Sequence, residues 1–281
     1  MKMLLIIGAL LLISAALGQD HRTAANEREI FPLDKEENSV DDQYDGCTKE
    51  MERRVQTEFL KKEMSNNHIF AEVWKYAEES HISPGDNLLK NHSVAIYVYT
   101  QTLFNLYQKF NDAVRTGKQK YKDGTYEWYS LHFWLTEAIQ ILKKTQTSCF
   151  DTYRGTKDQY DQNVKGKEVR FGQFASSSFD RKVAKGFGKQ SCFEIRTCEG
   201  ADLTKYSKFP HENEILIPPY ETFKVIDVKT RAEQTDLWCE TVFTLKSYKK
   251  TSFLNCANSG NQVAFFNVLF ILTVFCSVVS Y

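Results

Sequence analysis

The 281-residue chain has no net charge, with 36 Lys and Arg against 36 Asp and Glu. It has no basic run that would suggest nucleic acid and no acidic tail that would suggest a cation buffer. No Cys-x-x-Cys pair occurs and the histidines are scattered, which argues against a zinc site and gives no reason to expect any metal. Internal repeats and low-complexity tracts are missing too, which removes solenoids and compositionally biased linkers.

What is there begins at the two ends. Lys2 precedes Leu4 to Leu17, an apolar run broken only by Gly8 and Ser14, and Ala15, Ala16 and Gly18 are small. That is the layout of a secretory signal peptide, residues 1–18. The rival, an uncleaved anchor helix, needs about 20 apolar residues and this run is shorter. At the other end Val263 to Tyr281 is uncharged and apolar, preceded by the small or polar Ala257, Asn258, Ser259 and Gly260. A small-residue triplet before a terminal apolar tail signals a GPI anchor, here at Asn258 with 259–281 removed, although the polar spacer is short. A membrane-spanning tail is the alternative, but such a helix is usually followed by basic residues and this chain has none there.

Residues 19–258 are left as one sizeable domain. Its first part, 19–46, is polar and highly charged and reads as an exposed, loosely ordered lead-in. Of seven cysteines, Cys276 leaves with the tail; Cys47, Cys149, Cys192, Cys198, Cys239 and Cys256 remain. An even number in a secreted chain implies disulfides, with 15 pairings open. Asn91-His92-Ser93 is a glycosylation sequon, with Asn91 the acceptor.

The first half is helical by period. Met51, Val55, Phe59 and Met64 form one stripe, continued by Phe70, Val73, Trp74 and Ala77. Leu103, Leu106, Phe110 and Val114 mark another helix, and Trp128, Leu131, Leu135, Ala138 and Leu142 a further one. The second half changes period: Val169 to Phe174, Cys192 to Thr197, Glu214 to Ile217, Phe223 to Val228 and Leu237 to Leu245 predict strands. Helices followed by strands predict an α+β domain.

Three features of the second half could carry chemistry. In Tyr153-Arg154-Gly155-Thr156, the fork of Arg154 suits a diphosphate, and Gly155 suits a backbone that a ligand approaches; most arginines, however, are solvated surface charges. In Phe174-Ala175-Ser176-Ser177-Ser178, alternation puts Ser176 and Ser178 on one side, where hydroxyls can hold a ribose; Ser178 can equally cap the helical run Phe179 to Phe187. In Glu212-Asn213-Glu214-Ile215-Leu216-Ile217-Pro218-Pro219, an extended chain would project both carboxylates from one face about 7 Å apart. One could stabilise an oxocarbenium-like centre while the other orients a nucleophile. A solvated strand edge is the plainer reading of that spacing alone.

As a set, these features resemble the vertebrate ecto-ADP-ribosyltransferase family, which carries an arginine, a Ser-x-Ser element and a Glu-x-Glu pair in that order. Asp41-Asp42-Gln43-Tyr44, Val98-Tyr99-Thr100, Leu131 to Leu142 and Thr197-Cys198-Glu199-Gly200 also look like family counterparts. The resemblance implies an N-terminal helical part and a β-sandwich core with an NAD cleft. It implies that NAD, or NADP, is a substrate and that arginine side chains of other proteins are the acceptors. Arg154 would then grip the phosphates, Ser176 would help fix the nicotinamide-side ribose, and Glu214 would stabilise the cation left as nicotinamide departs. Glu212 would engage the acceptor guanidinium. Tyr99, Gln173 and Ser207 match positions that the family uses around NAD. The family's disulfides imply Cys47 with Cys256 and Cys149 with Cys198; Cys192 and Cys239 are left over, paired only as a guess. The resemblance places the protein on the outer face of the plasma membrane or in the medium. Alternatives are a weakly active or inactive surface protein on the same fold, a chain that is mainly an NAD glycohydrolase, and a glycosidase suggested by the carboxylate pair alone.

Overall fold

The computed structural model describes residues 29–256. The expected signal peptide, the expected anchor residue Asn258 and the apolar tail lie outside the described residues.

The helical stripes fold as their period predicts. α1 (Thr48–Arg54) runs through a π-turn at Val55–Phe59 into α2 (Leu60–Asn66). α3 (His68–Ser80) is capped by Asn67, whose side chain accepts the Phe70 amide at 3.0 Å. α4 (Lys90–Thr100) carries no amphipathic stripe, because every residue from His92 to Tyr99 is buried. It is wedged between α3 and α7 (Tyr129–Lys143). α5 (Leu106–Thr116) and the short α6 (Lys118–Lys122) complete this layer. Leu103 does not start α5: Phe104 and Asn105 take left-handed backbone conformations just before it. The amino end of α7 receives its cap from another helix, since the Ser130 amide donates to the buried Glu63 carboxyl at 3.2 and 3.3 Å.

Strands follow. β1 (Ile30–Phe31) pairs in parallel with β3 (Gln159–Tyr160). The others are β2 (Phe150–Thr156), β4 (Glu168–Val169), β5 (Ala175–Ser178), β6 (Ser191–Thr197), β7 (Ala201–Asp202), β8 (Glu214–Ile217), β9 (Glu221–Thr230) and β10 (Thr241–Lys250). They form an eight-stranded sheet in the order β4-β9-β10-β6-β2-β5-β8-β7, in which only β10 and β6 run parallel. The sheet is almost divided, for β2 meets β5 at one residue pair, Tyr153 with Ser178. β5-β8-β7 then packs back on the rest: Ala175 and Ile217 share a core with Phe193, Ile195, Phe223, Val225, Phe243 and Leu245. Alternation along β8 sends Leu216 the other way, into the helical core with Phe174, Ala201 and Leu203. This is the α+β architecture, with β5 and β8 sandwiched between helices and the larger sheet. The helix α8 (Arg181–Phe187) packs on β2.

Two strand expectations shift. The run Val169 to Phe174 is a strand only at its start, because Gly172 turns the chain at φ 62° and Arg170 dives inward. The strand predicted from Leu237 begins at Thr241, after a turn held at Cys239.

The lead-in also needs correcting. Leu33, Ser39, Val40, Asp41, Asp42 and Tyr44 are buried, not exposed. Arg170, itself buried, donates to the Asp41 carboxylate at 2.6 Å and to the carbonyls of Lys35, Glu36 and Thr251. Asp41 in turn accepts the amides of Phe253 and Leu254. One buried ion pair thus fastens both ends of the domain, and of the charges in this stretch Asp41 and Asp42 are buried with partners while Asp34, Lys35, Glu37 and Asp45 face solvent. Disulfides join Cys47 to Cys256, Cys149 to Cys198 and Cys192 to Cys239.

Candidate functional site

The site lies where β5 and β8 meet the carboxyl end of α4. Ser176 faces the helices beside Leu216, and Ser178 stands opposite Glu214. Glu214, the first residue of β8, is 5% exposed. Burial pushes its carboxyl up to about 7, Glu212 adds to the rise, and the Ser176 and Ser207 hydroxyls and Arg154 pull against it. From α4, the buried Tyr99 hydroxyl donates to the Phe174 carbonyl at 3.0 Å and stands 3.4 Å from Ser176 Oγ. Its own pKa is raised to about 12, by burial first and by Glu214 second. Ser207 is buried and accepts the Phe209 amide at 3.1 Å.

Arg154 reaches across the near-division of the sheet. Its Nη1 donates to the Ser176 carbonyl at 2.7 Å, so one guanidinium bridges β2 and β5 where the ladder between them nearly fails. Gly155 has a different cause from the one its sequence suggests. A Cβ there would lie 2.4 Å from the Ala184 carbonyl oxygen and 2.5 Å from that of Gly188, so the close approach is by α8 and its exit, not by a ligand. Gln173 accepts from Arg115 on α5.

Arg115 and Asn111 are residues that sequence reasoning missed. Asn111 donates to the Tyr99 hydroxyl at 3.1 Å and is buried. A signal existed: Asn111 interrupts the apolar face formed by Leu106, Phe110 and Val114, and a polar residue on a buried face needs a polar reason. Arg115 lies one turn further, and its charge, like that of Arg154, bears on Tyr160.

Glu212 and Glu214 do not share one extended face. Pro210–Glu212 is a turn of 3₁₀ helix, and Asn213 takes φ 47° and ψ 52°, so the chain reverses before β8 begins. Proline at the start of the turn and an asparagine, which tolerates the left-handed conformation, at its end favour the turn over a longer strand. Glu212 is therefore at the rim while Glu214 is inside. Partial burial raises the Glu212 pKa and the neighbouring His211 lowers it. Ser178 does not cap α8 either. Asp180 does, accepting the Lys182 amide at 2.7 Å, while Ser178 Oγ accepts the Asp180 amide and donates to the Glu212 carbonyl at 2.6 Å. Asn91 sits on the first turn of α4, half-buried, with the sequon's Ser93 hydroxyl spent on the Ile82 carbonyl. Among the described residues no group of three or more His, Cys, Asp or Glu could hold a metal ion.

The arrangement is a buried carboxyl flanked by hydroxyls, with the Arg154 guanidinium acting on it, Arg115 held on Gln173, and a second carboxyl at the rim. Sequence comparison agrees with what that site suggests. A model of the NAD:arginine ADP-ribosyltransferase family matches residues 33–252. Ecto-ADP-ribosyltransferase 5 of Rattus norvegicus is 36% identical over 249 residues, covering 83% of this chain and 78% of the relative. NAD(P)(+)--arginine ADP-ribosyltransferase 1 of Gallus gallus is 33% identical over 239 residues, covering 81% and 74%. Among solved structures, the eukaryotic mono-ADP-ribosyltransferase ART2.2 superposes with a TM-score of 0.68 at 31% identity, over 82% of this chain and all of that one. A mutant of that enzyme crystallised with NAD gives 0.66 at 29%, again over 82% of this chain and 100% of the other. The chain belongs to the NAD:arginine ADP-ribosyltransferase family.

Proposed function

We infer that this protein is an extracellular mono-ADP-ribosyltransferase that cleaves NAD, or NADP, and passes the ADP-ribosyl group to arginine side chains of other proteins. The observation that carries the reading is the buried Glu214 carboxyl with Ser176, Ser207 and Arg154 around it and Glu212 at the rim. In NAD the nicotinamide is already a cationic leaving group, so no acid is needed to expel it. The site must instead place negative charge beside the developing oxocarbenium ion and hold both substrates still. Glu214 supplies that charge and bonds the ribose 2′-hydroxyl. Ser176 and Tyr99 border the same ribose, while Arg154 and Arg115, with Gln173 between β4 and β5, take the diphosphate. Glu212 meets the incoming guanidinium. Ser207 steadies Glu214.

The test is to supply labelled NAD to the full chain, expressed in eukaryotic cells, with and without a small guanidine acceptor. Nicotinamide release together with label on the guanidine supports transfer. Release without label would make the chain an NAD glycohydrolase, and neither would make it an inactive surface protein.

Its layout in the secretory pathway follows the ends of the chain: residues 1–18 as a cleaved signal peptide, 19–258 as the mature domain glycosylated at Asn91, and 259–281 exchanged for a GPI lipid at Asn258. The covalent link from Cys47 to Cys256, two residues before that site, supports an anchor point seated on the folded domain. Phosphatidylinositol-specific phospholipase should release the protein from intact cells. Retention after cleavage of a control GPI protein would favour a membrane-spanning tail.

A further inference from the structure

The loop 203–213 joins β7 to β8 and carries Ser207 and Glu212. Its exit is fixed independently of its course. Glu214 is paired with Ser178 in the sheet, and the Glu214 carbonyl accepts the Leu203 amide at 2.9 Å. The second half of the loop is also held from the sheet side, by Ser178 Oγ on the Glu212 carbonyl. The first half is held from the opposite side, by the helical part. There the Tyr206 hydroxyl donates to the Asp86 carboxylate at 2.6 Å and Lys205 Nζ donates to the same oxygen at 3.0 Å. Lys208 adds two bonds, from Nζ to the Tyr97 hydroxyl at 2.8 Å and from its amide to Thr100 Oγ1 at 2.9 Å.

Asp86 is placed for this at some expense to the backbone. It takes φ 52° and Asn87 takes φ 65°, two left-handed residues in succession, in a turn closed by the Leu88 amide on the Gly85 carbonyl. A Cβ on Gly85 would stand 3.1 Å from the Tyr206 hydroxyl, so the turn is pressed against the loop. An aspartate in a turn commonly bonds its own backbone two residues on. Here the carboxylate reaches residues 119 and 120 positions away instead. Tyr206 is 1% exposed, so its hydroxyl is a buried donor that needs this acceptor. The Lys205 pair is exposed and by itself would contribute little.

We propose that Asp86 is a positioning residue for the acceptor side of the site: by gripping Tyr206 and Lys205 it fixes the rim of the loop 203–213, and so decides how the ribosyl cation divides between arginine and water. This rests on the reading of Glu212 as the acceptor-side carboxylate and Glu214 as the NAD-side one. Asp86 touches neither reacting group. Its loss lets the rim drift from the helical part while Glu214 stays in its ladder. Nicotinamide release continues and capture by the guanidine weakens.

Two variants of the full chain test it. Asp86→Gly removes the carboxylate and accepts the positive φ without strain. Tyr206→Phe keeps the buried ring and removes only the donor. In each, the ratio of guanidine labelling to nicotinamide release in water should fall roughly three- to tenfold, the range for the net strength of one ordinary hydrogen bond. The loss should appear as a higher KM for the guanidine, with KM for NAD unchanged. The double variant should be no worse than Asp86→Gly alone, because Asp86→Gly already removes the contact that Tyr206→Phe breaks. A purely structural contact would lower both activities in proportion, and that result, or an unchanged ratio, overturns the proposal. If the wild-type chain releases nicotinamide but labels no guanidine, the transfer reading fails and takes this one with it.

Discussion

The proposed mechanism requires Glu214 as an anion, yet Glu214 sits where an anion is disfavoured. Its folded-state pKa of about 7 stands above that of an exposed glutamate. The native state therefore binds this proton more tightly than the unfolded chain does. The stabilisation from that proton is complete below about pH 4 and is lost as pH rises through about 7. Two results follow. kcat/KM for NAD, which reports the free enzyme, should climb with pH and level off above about 7. Glu214→Gln, neutral at every pH, should be more stable than the wild type at pH 8 by on the order of 1–3 kcal/mol, and so melt at a higher temperature, while losing activity, the difference vanishing near pH 4. A variant that melts lower at pH 8 would mean that the buried carboxylate is a net stabiliser. The fold brings Arg154, Ser176 and Glu214 together, and the candidates Arg154, Ser176, Glu212 and Glu214 were legible in the sequence as a set, because their order is distinctive. Asn111 and Arg115 were not, since they lie on a helix whose stripe reads as core and surface, and only folding brings Asn111 to Tyr99.

At the scale of elements, the site depends on how β2 meets its neighbours. Arg154 is aimed by a strand whose next residue must be glycine, because α8 presses two backbone carbonyls against it. Gly155→Ala should lower the melting temperature by roughly 5–10 °C and loosen Arg154, raising KM for NAD. Wild-type melting and KM would show that α8 moves aside freely. Period alone revealed most helices here, and it failed where its physical basis fails. α4 is buried all round and so has no stripe, and β5 is four residues of alanine and serine whose place in the sheet is set by β8. The Glu212–Glu214 spacing misled for a related reason: side-chain period assumes an extended chain, and Pro210 and Asn213 bend it.

Across the whole molecule, the ends of the domain are tied together by Cys47–Cys256 and by the buried Asp41–Arg170 pair. The polar lead-in hid this, because composition cannot tell a solvated charge from a paired one. The proposed function divides two tasks between the interior carboxyl of Glu214 and the rim carboxyl of Glu212, and mutation tests that division. Glu212→Gln and Glu214→Gln should be compared in one assay that follows nicotinamide release and label on a guanidine acceptor. Loss of Glu214 should remove both activities, by on the order of hundreds-fold, as charge stabilisation of about 3–4 kcal/mol is lost. Loss of Glu212 should abolish transfer and leave cleavage of NAD by water measurable. Equal loss of both activities in the two variants would contradict the division of labour, and full arginine transfer by Glu214→Gln would contradict the assignment of the catalytic carboxylate.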